Sequence, residues 1–193
     1  QSWLNPIDIS DYITNPGQIV AIEQDGNNKV WIGTTNAGVL RLQNTDATYI
    51  GNVGGLSSSE VSSLAYDEIN AYLVIGHSQS GISIINTNTM TLVDTITTSD
   101  GLDSDFVRSV ATRYGIAYMA TPDKGVMRVE LSTSTIIGSW QSLGADDLES
   151  TPVAVDDDVM YIGLYEFGIL VVDRLTGDIS DFWNQDTNSL PDD

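Results

Sequence analysis

A fourfold internal repeat constrains the fold of this 193-residue chain more than any other sequence feature. Four segments align without gaps, at 30–40, 73–83, 117–127 and 160–170. A small residue recurs at one position of each segment, as Gly33, Gly76, Ala120 and Gly163. A second series lies five residues later, as Gly38, Gly81, Gly125 and Gly168. Both series step by 43, 44 and 43 residues, so the repeat predicts one structural unit copied four times.

Each repeat predicts four β-strands, because β-branched and aromatic runs alternate with polar turns every 8–12 residues. The predicted first strands are Ile19–Ile22, Val61–Ala65, Val107–Ala111 and Val153–Val155. The predicted fourth strands are Thr48–Val53, Leu92–Thr97, Ile136–Trp140 and Ile179–Trp183. Four strands in about 43 residues are typical of a β-propeller blade. The predicted fold is therefore all-β, a propeller of four tandem four-stranded blades with an extra N-terminal strand. Ring closure stays open at this stage.

Two further repeat positions suggest how the blades fit together. We expect the first small residue to let neighbouring blades approach, and the second glycine to adopt a positive φ at low cost. Trp31, Tyr118 and Tyr161 share one repeat position and are predicted to lie in the core between blades.

The repeat also sets the predicted boundaries. Residues 1–18 form a leftover or capping strand and linker, and the blades span 19–60, 61–106, 107–149 and 150–193. Trp3–Ile9 is typical of the last strand of an earlier blade, and Asn188–Asp193 of a junction before another blade. We interpret the chain as a slice of a longer array, or alternatively as a complete four-bladed ring. In an open array, exposed blade edges favour pairing with a second copy.

Composition excludes several classes of function. Lys and Arg total 7 against 27 Asp and Glu, a formal net charge of -20. A nucleic-acid partner is excluded, since phosphate binding needs clustered basic residues, and anionic membrane surfaces are disfavoured. The chain has no cysteine and one histidine, and no apolar run approaches the ~18 residues of a membrane span. Abundant Asp with little Lys suits an extracellular or saline setting, where salt screens self-repulsion.

The first repeat resembles a known family. The segment Val30–Leu42, preceded by Ile22–Gly26, is similar to the two-component-regulator propeller repeat. The linkers Gly55–Val61 and Gly101–Val107 resemble the junction between blades of that family. The fourth repeat, from Val172 to Trp183, also resembles quinoprotein-type propeller repeats. The resemblance implies an extracellular or periplasmic sensing domain that binds ligands or partners and is not generally an enzyme.

Candidate site residues lie in the loops that the resemblance places on one face of the propeller. We predict ligand contacts, and no catalytic residue, from the connections between second and third strands: His77, Asp123, Lys124, Tyr165, Glu166 and Phe167. Asp100, Asp103 and Asp105 have carboxylates at spacings that could reach one calcium ion, and no other cofactor is expected. The run Asp156–Asp158 falls in a turn on the opposite face and is predicted to be solvated.

The predicted function is a non-catalytic extracellular recognition or assembly module of a larger secreted or surface sensor-like protein. Its expected partners are a protein or carbohydrate ligand and a second copy bound through open blade edges, without nucleic acid or membrane insertion. One alternative is a carbohydrate-active hydrolase or lyase with an acidic site. Another is a purely structural, oligomerising repeat unit.

Overall fold

The computed structural model describes residues 8–43, 46–50, 55–122, 124–140, 152–164 and 168–184. These residues form sixteen β-strands and two short 3-10 helices, Ile9–Asp11 and Thr98–Asp100, with no α-helix among them. The strands are β1 (Ile19–Gln24), β2 (Val30–Thr34), β3 (Gly38–Gln43), β4 (Asp46–Ile50), β5 (Val61–Asp67), β6 (Tyr72–His77), β7 (Ile82–Asn86), β8 (Thr91–Ile96), β9 (Ser109–Arg113), β10 (Ile116–Thr121), β11 (Gly125–Glu130), β12 (Thr135–Trp140), β13 (Val153–Val155), β14 (Val159–Leu164), β15 (Gly168–Asp173) and β16 (Ile179–Trp183).

The strands make four separate sheets, each of four consecutive antiparallel strands. The predicted architecture of four tandem blades is confirmed, and each sheet lies within one of the predicted repeat ranges. The extra N-terminal strand, predicted at Trp3–Ile9, lies outside the described residues apart from its last two. Ile9 begins a 3-10 helix that the Asp8 side chain caps, so the strand does not extend to this residue.

Consecutive blades pack face to face. The inner strands β1, β5, β9 and β13 lie side by side in that order, and apolar side chains fill the space between sheets. Val74 and Ile84 of blade 2 share one core cluster with Met119 and Met127 of blade 3. No packing of similar extent joins β13 to β1 in the part of the chain described, so the structure does not show a closed ring. No described helix is long and apolar enough to cross a membrane.

The first small residue of the repeat has the predicted role at two blade interfaces. A Cβ built on Gly33 would lie 2.7 Å from Cγ1 of Val61 in the next blade. A Cβ on Gly76 would lie 3.0 Å from methyl carbons of both Val107 and Val110. A side chain at Gly33 would force Val61 to shift, because real Cβ atoms do not approach so closely, and one at Gly76 would need the two valines to give by a few tenths of an ångström.

The second glycine has the predicted positive φ in every blade. The φ angles are +73° at Gly38, +63° at Gly81, +74° at Gly125 and +126° at Gly168. A Cβ on Gly81 would also collide with the carbonyl oxygen of Ile96, which lies in the outer strand of the same blade. Glycine is therefore required here on two independent grounds.

The shared aromatic position is buried in blades 1 and 3 but not in blade 4. Trp31 and Tyr118 are fully buried, as predicted, and the indole nitrogen of Trp31 donates to Oδ2 of Asp25 at 3.0 Å. Tyr161 is only half-buried, so its predicted place in a core between blades is wrong. Its ring packs against that of Trp183 within its own blade, tilted by 45° with ring centroids 5.8 Å apart, and no other described sheet lies against it.

Candidate functional site

His77 does not lie in a connection between strands, so its predicted place in a loop is wrong. It is the last residue of β6 and is fully buried. Nδ1 lies 3.2 Å from the carbonyl oxygen of Glu60, and Nε2 lies 2.8 Å from Oγ of Ser83. A carbonyl oxygen only accepts, so Nδ1 carries the proton and Nε2 accepts from the Ser83 hydroxyl.

The surroundings of His77 keep the imidazole neutral. Burial lowers its pKa from 6.5 to about 4, and the bond to the Glu60 carbonyl opposes this only in part. Ser83 Oγ also accepts from the backbone nitrogen of Ser57 at 3.0 Å. His77 and Ser83 therefore tie the junction between blades 1 and 2 onto blade 2, which is a structural role.

The other predicted contacts of the loop face are mostly outside the described residues: Asp123, Tyr165, Glu166 and Phe167. Lys124 is described and exposed, and its backbone nitrogen donates to Oγ1 of Thr121 at 3.1 Å. Ligand binding at this face stays a prediction.

The three predicted calcium ligands each have other partners. Asp100 closes a capping box with Thr97 at the start of a 3-10 helix. Asp105 accepts from the backbone nitrogen of Thr98 at 2.7 Å, and Asp103 accepts from Oγ of Ser139 at 2.7 Å. Within the described ranges, no group of three His, Cys, Asp or Glu side chains is placed to hold a metal ion. The arrangement lends the calcium prediction no support.

A polar pocket lies at the opposite end of the inner strands. Its volume is about 330 Å3, and the turns that follow β1, β5 and β9 enclose it. These strands pack side by side, so their C-terminal ends converge on one place. We call it the turn pocket, and its lining residues are Gln24, Asp25, Gly26, Tyr66, Asp67, Glu68, Thr112, Arg113 and Tyr114.

Two buried carboxylates shape the wall of the turn pocket. Asp25 accepts from the backbone nitrogens of Asn27 and Lys29 as well as from Trp31. Asp67 holds its own turn through Asn70, and it reaches into blade 3 to accept from the nitrogen of Gly115 at 3.1 Å. Structural hydrogen bonds thus occupy both carboxylates, which orders the turns around the pocket.

Blade 3 places an arginine where blades 1 and 2 have these carboxylates. Strand register aligns Arg113 with Asp67, and its guanidinium pairs with the carboxylate of Asp157 in blade 4. Tyr114 donates to the same carboxylate oxygen at 2.7 Å. Asp157 is exposed, as predicted for this turn, and it makes these two contacts in addition. It joins two blades because the turn that carries it lies beside the end of β9.

Two polar side chains of the turn pocket remain available to a ligand. Among the described residues, no hydrogen bond occupies the hydroxyl of Tyr66 or the carboxylate of Glu68, whereas Gln24 shares its face of β1 with Ile22, which points away from blade 2. Together Tyr66 and Glu68 offer a donor, acceptors and one aromatic ring. Such a set can orient a small polar molecule.

Comparison with known proteins supports the propeller fold. The family described as two component regulator propeller matches residues 15–36. This confirms the resemblance in the first repeat. A comparison with curated proteins finds no match.

Several solved structures share the fold at low sequence identity. One is the extracellular domain of BT3049 from B. thetaiotaomicron, assigned as a hybrid two component system, with 14% identity and a TM-score of 0.72 over 94% of this chain. The extracellular domain of BT4673 from the same organism has 15% identity and a TM-score of 0.71 over 89%. The chain spans 26% and 25% of these two structures. The computationally designed protein Ika4 has 14% identity and a TM-score of 0.63, and the match covers 91% of it.

Proposed function

We propose that this chain is a non-catalytic recognition module that binds a small carbohydrate in the turn pocket, as an extracellular or periplasmic part of a sensor-like protein. The observation that carries the proposal is a polar pocket, held by the turns of three blades, in which the side chains of Tyr66 and Glu68 have no hydrogen-bond partner among the described residues. Its volume of about 330 Å3 lies within the range of small-molecule sites, about 300–1,000 Å3.

The chemistry of the pocket favours a sugar. Sugars present hydroxyl groups that both donate and accept, and they have apolar ring faces that pack on aromatic rings. The Glu68 carboxylate supplies acceptors, the Tyr66 hydroxyl both donates and accepts, and the Tyr66 ring supplies a face. The likeness to extracellular domains of sensor systems supports an extracellular or periplasmic location, where soluble sugars would be available to the pocket.

The pocket supports binding better than hydrolysis. A glycosidase needs two carboxyl groups that act on the scissile bond. Asp25 and Asp67 are buried, and turn hydrogen bonds occupy them. Of the three carboxylates that line the pocket, Glu68 is therefore the one that can bind a ligand.

The experiment is saturation-transfer NMR on a panel of neutral, amino and acidic monosaccharides and their disaccharides. We expect at least one sugar to bind, and Glu68→Gln to weaken that binding several-fold, because a charged acceptor becomes a neutral amide. Glu60→Gln is the matched control, since Glu60 is also exposed and lies at the other end of β5. It should leave the affinity unchanged.

Two results would overturn this proposal. One is a panel in which no sugar shows saturation transfer. The other is a bound sugar whose affinity is the same in the wild type, in Glu68→Gln and in Tyr66→Ala. The same spectra, followed over a day, reveal cleavage products, and their appearance would favour the hydrolase alternative.

A further inference from the structure

One apolar position of the inner strand packs against the preceding blade. In blades 2, 3 and 4 it is Leu64, Val110 and Val153, which are 7%, 5% and 8% exposed. These side chains pack against the preceding blade near the first small residue of its repeat. Val110, for example, lies beside Gly76 of blade 2. In blade 1 the same register position is Ile22, and it is 66% exposed.

The start of the inner strand repeats this contrast. Val61 and Val107 are 2% and 1% exposed, whereas Ile19 at the matching position of blade 1 is 48% exposed. Blade 1 therefore displays two side chains that are inserted into a neighbouring blade elsewhere in the chain. We call this surface, formed by Ile19 and Ile22, the leading face.

The opposite end of the array displays the receiving half of the same interface. Ala154 in blade 4 is exposed, whereas Ala65 at the matching position of blade 2 is 6% exposed. Tyr161 is half-buried where Tyr118 is fully buried. We call the surface of Ala154, Tyr161 and Gly163 the trailing face.

The segment before blade 1 keeps the form of a junction between blades. Ile13 is buried against Ile32 and Leu40 of blade 1. Leu102, in the junction after blade 2, is buried in the core between blades 2 and 3. A 3-10 helix ends two residues before each of them. The outer part of the interface is thus already assembled at the leading face, and only the contacts of the inner strand are missing.

We propose that a second copy of this chain docks head to tail, with the leading face of one copy packed against the trailing face of the other. The interface continues the packing that already joins blades 1 to 2, 2 to 3 and 3 to 4. A copy of the chain is the partner that carries both halves of it. The two faces differ, so the contact is heterologous and leads to a closed ring or an open chain of copies. The formal charge of -20 opposes association, so salt strengthens it by screening.

The first test is disulfide cross-linking, which is clean because the chain has no cysteine. Ile22→Cys and Ala154→Cys occupy positions whose counterparts, Val110 and Ala65, share one core cluster between blades 2 and 3. Oxidation of the two variants mixed together should give a covalent dimer in far greater yield than either variant alone. In the control for random collision, Ala154→Cys is mixed with Ile69→Cys instead of Ile22→Cys. Ile69 lies in a turn and is 62% exposed.

The second test is sedimentation equilibrium. Ile22→Lys should raise the dissociation constant by roughly tenfold or more, whereas Ile69→Lys should leave it unchanged. Both residues are exposed in the single chain, so both variants should fold, which circular dichroism checks. A mixed cross-link no stronger than the Ile69→Cys background, or equal dissociation constants for the two lysine variants, would overturn the proposal. Neither measurement includes a sugar or reports on sugar binding, so the docking stands or fails separately from the proposed function.

Discussion

The surroundings of the buried His77 side chain determine its protonation state. Thr34 and Thr121 lie at the same strand end in blades 1 and 3. Each threonine hydroxyl donates to the carbonyl of the glycine four residues later. In blade 2 the larger imidazole uses Ser83 and the Glu60 carbonyl instead. A charged imidazole would lose hydration without gaining a carboxylate partner there, so burial keeps it neutral.

This burial predicts a pH dependence of stability. The pKa of His77 falls from 6.5 in the unfolded chain to about 4 in the folded one, so the unfolded state binds more protons between these values. The free energy of unfolding should therefore fall as the pH drops from 7 to 5, by about 2 kcal/mol from this residue. The contribution of His77 to this fall in the free energy of unfolding should level off below pH 4.

Urea unfolding of the wild type and of His77→Thr checks this prediction. Threonine is the residue of blades 1 and 3 at this position, so the variant should fold. The loss of stability between pH 7 and pH 5 should be smaller in His77→Thr by about 2 kcal/mol. Equal losses in both proteins would mean that the imidazole titrates normally in the folded chain.

The sequence could have exposed part of this cluster. Leu40, Met127 and Leu170 hold the repeat position at which blade 2 has Ser83. A serine at an otherwise apolar repeat position, together with a histidine where the other repeats have Thr34, Thr121 and Leu164, indicates a buried pair that bonds to itself. The alignment does not show which loop supplies the Glu60 carbonyl, since that contact depends on how the junction folds back.

At the scale of the strand, the blades are joined by hydrogen bonds as well as by apolar packing. Ser63 Oγ accepts from the nitrogen of Val110 at 3.0 Å, and Ser109 Oγ accepts from the nitrogen of Val153 at 3.1 Å. The two serines share one register position in successive inner strands. Each serine satisfies a backbone group that the next sheet leaves unpaired at its inner edge.

Neighbouring serines in β5 give a matched pair of variants. Ser63→Ala leaves the buried nitrogen of Val110 without its acceptor, so it should lower the free energy of unfolding by about 1–3 kcal/mol. The buried hydroxyl of Ser62 has no hydrogen-bond partner among the described residues, so Ser62→Ala should be neutral or slightly stabilising. Chemical unfolding measures both. A larger loss in Ser62→Ala than in Ser63→Ala would contradict this account of the blade interface.

The sequence predicts the strands well because their signals are local. The first strand of blade 4 and its fourth strand have the predicted bounds, Val153–Val155 and Ile179–Trp183. The other six predicted strands differ from the observed ones at one end or both, because pairing, rather than composition, decides where a strand begins and ends. Val107 donates its backbone nitrogen to the carbonyl of His77, so β9 begins only at Ser109.

At the scale of the whole molecule, the propeller has two chemically different ends. The predicted binding face is the one at which His77 is buried, whereas the turn pocket lies at the other end of the same strands. The pocket is assembled from turns about 45 residues apart in sequence, around Asp25, Asp67 and Arg113. No local motif marks it. Its one sequence signal is an arginine in a register column that is otherwise aspartate, and that column is visible only once the strands are paired.

The same scale explains the exposed apolar residues. Ile19 and Ile22 are core residues by repeat position and surface residues by place in the array. Propeller blades are stabilised mainly by contact with their neighbours, so an array with two faces that no described blade covers has a reason to associate. The central claim is that these faces are two halves of one interface.

Light scattering of the wild-type chain at several concentrations and two salt concentrations tests that claim most directly. A single chain has a mass of 20.8 kDa. We predict a weight-average mass that rises above this value with protein concentration, and rises further in high salt. A mass that stays at 20.8 kDa under all these conditions would contradict the claim.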